Sequence, residues 1–187
     1  MTTDQKGAVA ETAIVHAATK LGIEVFRPLI AASRCDLVFG IGRDLLRVQC
    51  KWAAVSRGGI PVRCYSSRRC ADGFRHRRYT TDEVDAIAVY CPDVDRCYFL
   101  PLGEFDGPTH IRLRLEPTLN NQSAGIRWAG DFEFAATLGA PGAIAQLGER
   151  LLCKQEVTGS IPVGSTNLMF VLRSELSAKR NFDSTSQ

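Results

Sequence analysis

The spacing of apolar positions changes once along the chain, and the change separates a helix from a series of strands. Residues 4–21, DQKGAVAETAIVHAATKL, carry alanines and aliphatics at helical spacing; Asp4 can cap the start and Gly22 can end the helix. Beyond Gly22 the period falls to two. IEVFRPL (23–29) reads as a short strand stopped by Pro28. CDLVFGI (35–41) and DLLRVQCKW (44–52) are separated by Gly42 and Arg43 alone, which predicts a two-residue β-hairpin. EVDAIAVYCP (83–92) and RCYFLPL (96–102) form a second strand pair. HIRLRLEP (110–117) alternates Ile111, Leu113 and Leu115 with arginines, as a further edge strand with one apolar and one basic face would. The expected architecture is an α/β (α+β) layer, with an N-terminal helix followed by a mixed, mostly antiparallel sheet, in a domain of residues 1–138.

The hairpin fixes which side chains meet. With the turn at Gly42-Arg43, Ile41 pairs with Asp44 and Asp36 falls opposite Gln49. Lys51 stands two residues beyond Gln49 and projects from the same face. The other face receives Leu37, Phe39, Leu46 and Val48, a core-facing set. Hydrolysing a phosphodiester needs a hard cation, a nucleophilic water and stabilisation of charge at phosphorus. Asp36 can hold Mg²⁺ through oxygen, and Gln49 offers a weaker carbonyl ligand. Lys51 can orient the water or stabilise the developing charge. Glu11, on the first helix, can add a carboxylate directly or through water. The same residues also suit a solvated Asp36–Lys51 pair with Glu11 on an exposed helix face, and both readings stand at this level.

The 187 residues are 45% hydrophobic, enough for one sizeable core. No apolar run approaches the roughly 18 residues that span a bilayer, and the N-terminus lacks a signal peptide's hydrophobic segment. A cytoplasmic location is expected. The seven cysteines form no CxxC pair, so reduced thiols, several of them buried in strands, are expected in preference to a zinc site. The net charge of +3 is unevenly spread. Residues 57–78, RGGIPVRCYSSRRCADGFRHRR, hold Arg57, Arg63, Arg68, Arg69, Arg75, Arg77, Arg78 and His76 against a single acid, Asp72. A solvated loop would have such a composition. Interspersed Tyr65 and Phe74, and arginine in place of lysine throughout, favour a loop that contacts the phosphates of nucleic acid.

KGAVAETAIVHAATKLGIEVFRPL, followed by CDLVFGIGRDLLRVQCKWA, resembles the PD-(D/E)xK nuclease superfamily. More narrowly, it is similar to the branch of group I intron-associated homing endonucleases of cyanobacterial transfer RNA introns. The matching residues are Gly7 and Glu11 of a Gly-x-x-x-Glu helix, Asp36 opening a strand, and Val48, Gln49 and Lys51 of a Val-Gln-x-Lys strand end. VDAIAVYCPDVDRCYFLPL resembles the family's next strand pair, so the likeness covers residues 5–103. Cys35 replaces the motif's proline, which contributes no ligand. Gln49 stands where the superfamily has an acid, but glutamine is usual in this branch. The resemblance implies a restriction-endonuclease-like core with Asp36 as metal ligand, Gln49 as a residue positioning metal or water, Lys51 as catalytic lysine and Glu11 as accessory acid. It also implies Mg²⁺, double-stranded DNA as substrate, and a homo-oligomer that cuts both strands. A restriction, repair or junction-resolving nuclease is the alternative within the class, and a catalytically silent DNA-binding relative is the alternative outside it.

Residues 142–166, GAIAQLGERLLCKQEVTGSIPVGST, resemble no fold. Within codon degeneracy they back-translate to a self-complementary sequence that resembles an alanine transfer RNA gene, with the codon of Cys153 in the anticodon loop. Residues 139–187 are therefore expected to be a read-through tail that packs poorly and carries no catalytic role. A small C-terminal module is the alternative.

Overall fold

In the computed structural model, residues 1–30, 33–117 and 125–139 are described. The chain opens with α1, Thr3–Lys20. Its cap is Thr2, not Asp4. The Thr2 hydroxyl accepts from the Gln5 N–H at 3.2 Å, and the Gln5 side chain accepts from the Thr2 N–H at 2.9 Å. This reciprocal box outcompetes Asp4, which instead lies in the first turn, where its charge suits the helix N-terminus. Leu21 closes the helix, and Gly22 follows at φ +75°, a conformation that glycine adopts without strain. Ala10, Ile14 and Ala18 form the buried stripe.

Five strands make the main sheet: β1 (Glu24–Phe26), β2 (Leu37–Ile41), β3 (Asp44–Trp52), β7 (Ala86–Cys91) and β8 (Arg96–Pro101), in the order β1-β2-β3-β7-β8. β3 and β7 run parallel, and the other neighbours are antiparallel. The β2–β3 hairpin turns at Gly42-Arg43, pairing Ile41 with Asp44 and Leu37 with Val48, the expected register. Leu37, Phe39, Leu46 and Val48 are buried beside Ile14 and Ala18 of α1 and Phe99 of β8. At about 1.5–3 kcal/mol per buried side chain, a one-residue slip would forfeit an amount comparable to a domain's whole stability. Phe134 and Leu138 of α2 (Phe134–Leu138) close the same core.

The opposite face of the sheet carries a second core. Ile87, Val89 and Leu100 pack there with Ile60 and Val62 of β4 (Gly59–Arg63) and Ile111 and Leu113 of β9 (His110–Arg114). The HIRLRLEP segment is thus a strand with a buried apolar face, but it does not join the edge of the main sheet. It pairs antiparallel with β4 in a separate two-stranded sheet. Gly59 makes that pairing possible, since a Cβ there would stand 2.6 Å from the Leu113 carbonyl.

The arginine-rich segment is not a loop. It supplies β4 and then β5 (Tyr65–Cys70) and β6 (Gly73–Arg78), which form an isolated two-stranded ribbon. Every residue of β6 is exposed. With no buried face the ribbon lacks apolar alternation, the signal that reveals the other strands. Cys35, Cys50, Cys64 and Cys91 are buried free thiols, and Cys70 and Cys97 are half-buried. No helix among the described residues is long and apolar enough to cross a membrane. Cys153, the segment 142–166 and the rest of the expected tail from residue 140 lie outside the described residues.

Candidate active site at the open edge of β3

β2 begins at Leu37, whereas β3 runs on past Val48 to Trp52. The last residues of β3 therefore have no β2 partner on that side, and the chain entering β2 fills the gap. The Asp36 N–H donates to the Val48 carbonyl at 2.9 Å, which continues the ladder by one step. The Asp36 carboxylate then accepts the Cys50 N–H at 2.8 Å on Oδ2. The Gln49 amide also donates to Oδ2, and more weakly to the Cys50 carbonyl at 3.4 Å. Asp36 and Gln49 are thus in direct contact, as the hairpin register requires. Gln49 is 8% exposed, the one buried polar residue among the described residues.

Lys51 shares their side of the strand, but its ammonium makes no ion pair with Asp36. It donates to the Tyr79 hydroxyl at 2.9 Å and to the Tyr65 carbonyl at 3.4 Å. Its nitrogen also lies 4.8 Å from the Tyr79 ring centre. Burial lowers the Lys51 pKa, with Asp36 opposing that shift and Arg34 adding to it. Burial likewise raises the Asp36 pKa, against the lowering effect of the Cys50 N–H, and the charge of Glu11 adds to the rise. Glu11 is therefore close enough to feel Asp36, but its direct partner is Arg27, at 3.2 Å.

The oxygens gathered here are hard donors: the carboxylate of Asp36, the amide oxygen of Gln49, the carbonyl of Cys50 and the nearby carboxylate of Glu11. Asp36 has no cationic ion-pair partner among the described residues, and burial disfavours its charge. A hard divalent cation would meet both conditions, so the set fits one. The fit depends on amide and backbone oxygen and on water, because no cluster of three His, Cys, Asp or Glu side chains occurs among the described residues.

The seven arginines separate into groups. Arg57 occupies the turn before β4 at φ +50°, and Arg63 ends β4, exposed. Arg68, Arg69, Arg75, Arg77 and Arg78 lie on the ribbon. Arg68 pairs directly with Arg75, and Arg69 with Phe74 near the tip. Arg77 forms an ion pair with Glu83, so it is not free as the composition suggested. Three residues of the site escaped the sequence reading. Arg34 donates to Ser66 Oγ at 2.8 Å, to the Arg78 carbonyl at 2.9 Å and to Glu83 at 3.2 Å. Tyr79 is buried and holds Lys51, and Glu83 bridges Arg34 and Arg77. Arg34 stands two residues before Asp36 and Tyr79 directly after the basic run, but neither position belongs to a recognisable motif.

A helix-backed mixed sheet with Asp36, Gln49 and Lys51 at one strand edge is a restriction-endonuclease-like core. The PD-(D/E)XK endonuclease family matches residues 1–135, and the chain belongs to that family. No curated protein matches. Among solved structures, the chain is similar to the bacterial homing endonuclease I-Ssp6803I, at 23% identity and a TM-score of 0.60, over 78% of this chain and 98% of that one. A looser likeness is to Hjc, a Holliday junction resolvase of Archaeoglobus fulgidus, at 21% identity and a TM-score of 0.37, over 58% of this chain and 84% of that one.

Proposed function

We propose that this PD-(D/E)XK nuclease is a Mg²⁺-dependent, site-specific endonuclease of double-stranded DNA, serving as the homing enzyme of a mobile element. The observation that carries the reading is the direct contact of Asp36 with Gln49 at the open edge of β3, with Lys51 two residues on. Asp36 and Gln49 are the residues that would hold the cation, and Glu11 would assist from the helix. When bound, Mg²⁺ supplies Lewis acidity at the scissile phosphate and lowers the pKa of water. Lys51 brings a positive charge against the phosphoryl oxygens, where negative charge grows in the transition state. Its ammonium is held by neutral acceptors, so its charge is not cancelled by a carboxylate before DNA arrives.

The ribbon supports DNA as the substrate. Its arginines contribute to non-specific affinity through phosphates, and a two-stranded ribbon fits a major groove about 12 Å wide. The described residues carry one such site and a duplex has two strands, so a homo-oligomer is the working form. The homing role rests on the likeness to a homing endonuclease over nearly all of that protein's length. An alanine transfer RNA gene is the candidate locus, since residues 142–166 resemble the translation of one.

The test is cleavage of a supercoiled plasmid carrying an intact alanine transfer RNA gene by the full chain in magnesium chloride. Linear product is expected, chelation by EDTA should stop its formation, and Lys51→Ala should slow it by about a thousandfold while leaving DNA binding intact. Binding without cleavage by the unaltered chain would instead identify a silent DNA-binding relative. Cutting confined to a four-way junction would identify a resolving enzyme.

A further inference from the structure

The ribbon and the candidate active site share parts. The ribbon has two feet, Cys64-Tyr65 entering β5 and Tyr79 leaving β6, joined by a hydrogen bond from the Tyr79 N–H to the Cys64 carbonyl at 3.1 Å. Both acceptors of the Lys51 ammonium belong to these feet: the Tyr79 hydroxyl at 2.9 Å and the Tyr65 carbonyl at 3.4 Å. Arg34 braces the same place. Its guanidinium carbon lies 4.5 Å from the centre of the Tyr79 ring, and it donates to Ser66 of β5 and to the carbonyl of Arg78 of β6. Glu83 takes the charges of Arg34 and Arg77 together. A lysine side chain has four rotatable bonds, and without an acceptor at its end it would sample many positions.

We propose that Tyr79 is a positioning residue for Lys51, and that Arg34 holds it in place, so that the foot of the DNA-binding ribbon sets where the lysine charge meets the scissile phosphate. This rests on the proposed nuclease site and adds to it a residue outside the PD-(D/E)XK pattern. Tyr79 is not expected to touch the reacting atoms. Its hydroxyl fixes the ammonium at one end, and its ring, lying against both Arg34 and Lys51, limits their motion at the other. The geometry also explains a buried tyrosine hydroxyl that no carboxylate engages among the described residues.

The experiment compares the full-length unaltered chain with Tyr79→Phe, Lys51→Ala and the double variant, using the same supercoiled plasmid in magnesium chloride. Tyr79→Phe keeps the ring and removes one hydrogen bond to a charged group. It should slow cleavage at saturating DNA by about ten- to a hundredfold, while the Kd for uncleaved plasmid, measured in calcium chloride, and the Tm hold. In the Lys51→Ala background the same change should add nothing, because its effect acts through the lysine. Arg34→Gln, which loosens the brace, should reproduce part of the slowing. Full cleavage rate in Tyr79→Phe, or an equal loss with and without Lys51, would overturn the positioning role and leave the nuclease site standing. A loss confined to Kd would overturn it too, by making Tyr79 a DNA contact. Undiminished cleavage by Lys51→Ala would sink the site assignment itself, and the positioning role with it.

Discussion

The five-stranded sheet and the arginine ribbon lie next to each other in sequence but are stabilised in opposite ways. β7 is apolar on both faces, and Phe39 of β2, Ile87 of β7 and Phe99 of β8 are fully buried. The ribbon buries no face of β6, and it sets two arginines directly opposite each other. Like charges in register cost stability, and an isolated two-stranded ribbon is marginal on its own. A chain that keeps this arrangement gains little fold from it. The ribbon leaves its charge exposed, and its feet stand beside Lys51.

Substitutions should divide along the same line. Phe39→Ala removes a ring that stacks with Phe99 and meets Phe134 edge to face, so it should cost about 3–5 kcal/mol of stability in urea unfolding. A cost below about 1 kcal/mol would mean that the sheet core is not the main source of stability. Arg68→Ala with Arg75→Ala should do the reverse. The pair should leave Tm unchanged or slightly raised, and lower the slope of log K against log salt for DNA binding by about 1.8, at 0.9 per lost phosphate contact. An unchanged slope would remove the ribbon from the DNA interface.

A smaller effect should appear at the boundary between the two regions. Burial raises the folded-state pKa of Asp36, so its ionised form destabilises the fold at neutral pH. Asp36→Asn keeps an oxygen for the Cys50 N–H and removes the charge. It should raise Tm at pH 7. The sign reverses the usual carboxylate case. The gain belongs to pH values above the folded pKa, and it should fade as pH falls through that value, because the native carboxyl is then neutral as well. Parallel melting of both chains from pH 7 downward checks this.

The contrast between sheet and ribbon also explains how much of the molecule could be read from the sequence. Strand alternation and the two-residue turn located β2 and β3 with their register, and with it the meeting of Asp36 and Gln49, because one face had to be buried. α1 was legible for the same reason, although its cap was assigned to Asp4 when Thr2 and Gln5 form the box. In sequence the ribbon reads as a loop, because strands without a buried face leave no periodic trace. β9 reads as an edge of the main sheet, because apolar alternation says which face is buried but not against which sheet. Arg34, Tyr79 and Glu83 were missed because they reach the site through tertiary packing across the ribbon's feet, and no local spacing encodes that contact.

The central claim is that Asp36 at the open edge of β3 is where this chain does its chemistry. The most direct measurement is single-turnover cleavage of the supercoiled plasmid in magnesium chloride by the full chain and by Asp36→Ala, with Kd measured alongside. The account predicts cleavage by the unaltered chain, a loss of about a thousandfold or more in the variant, and a Kd changed by less than about threefold. Cleavage that survives Asp36→Ala at an undiminished rate would contradict it.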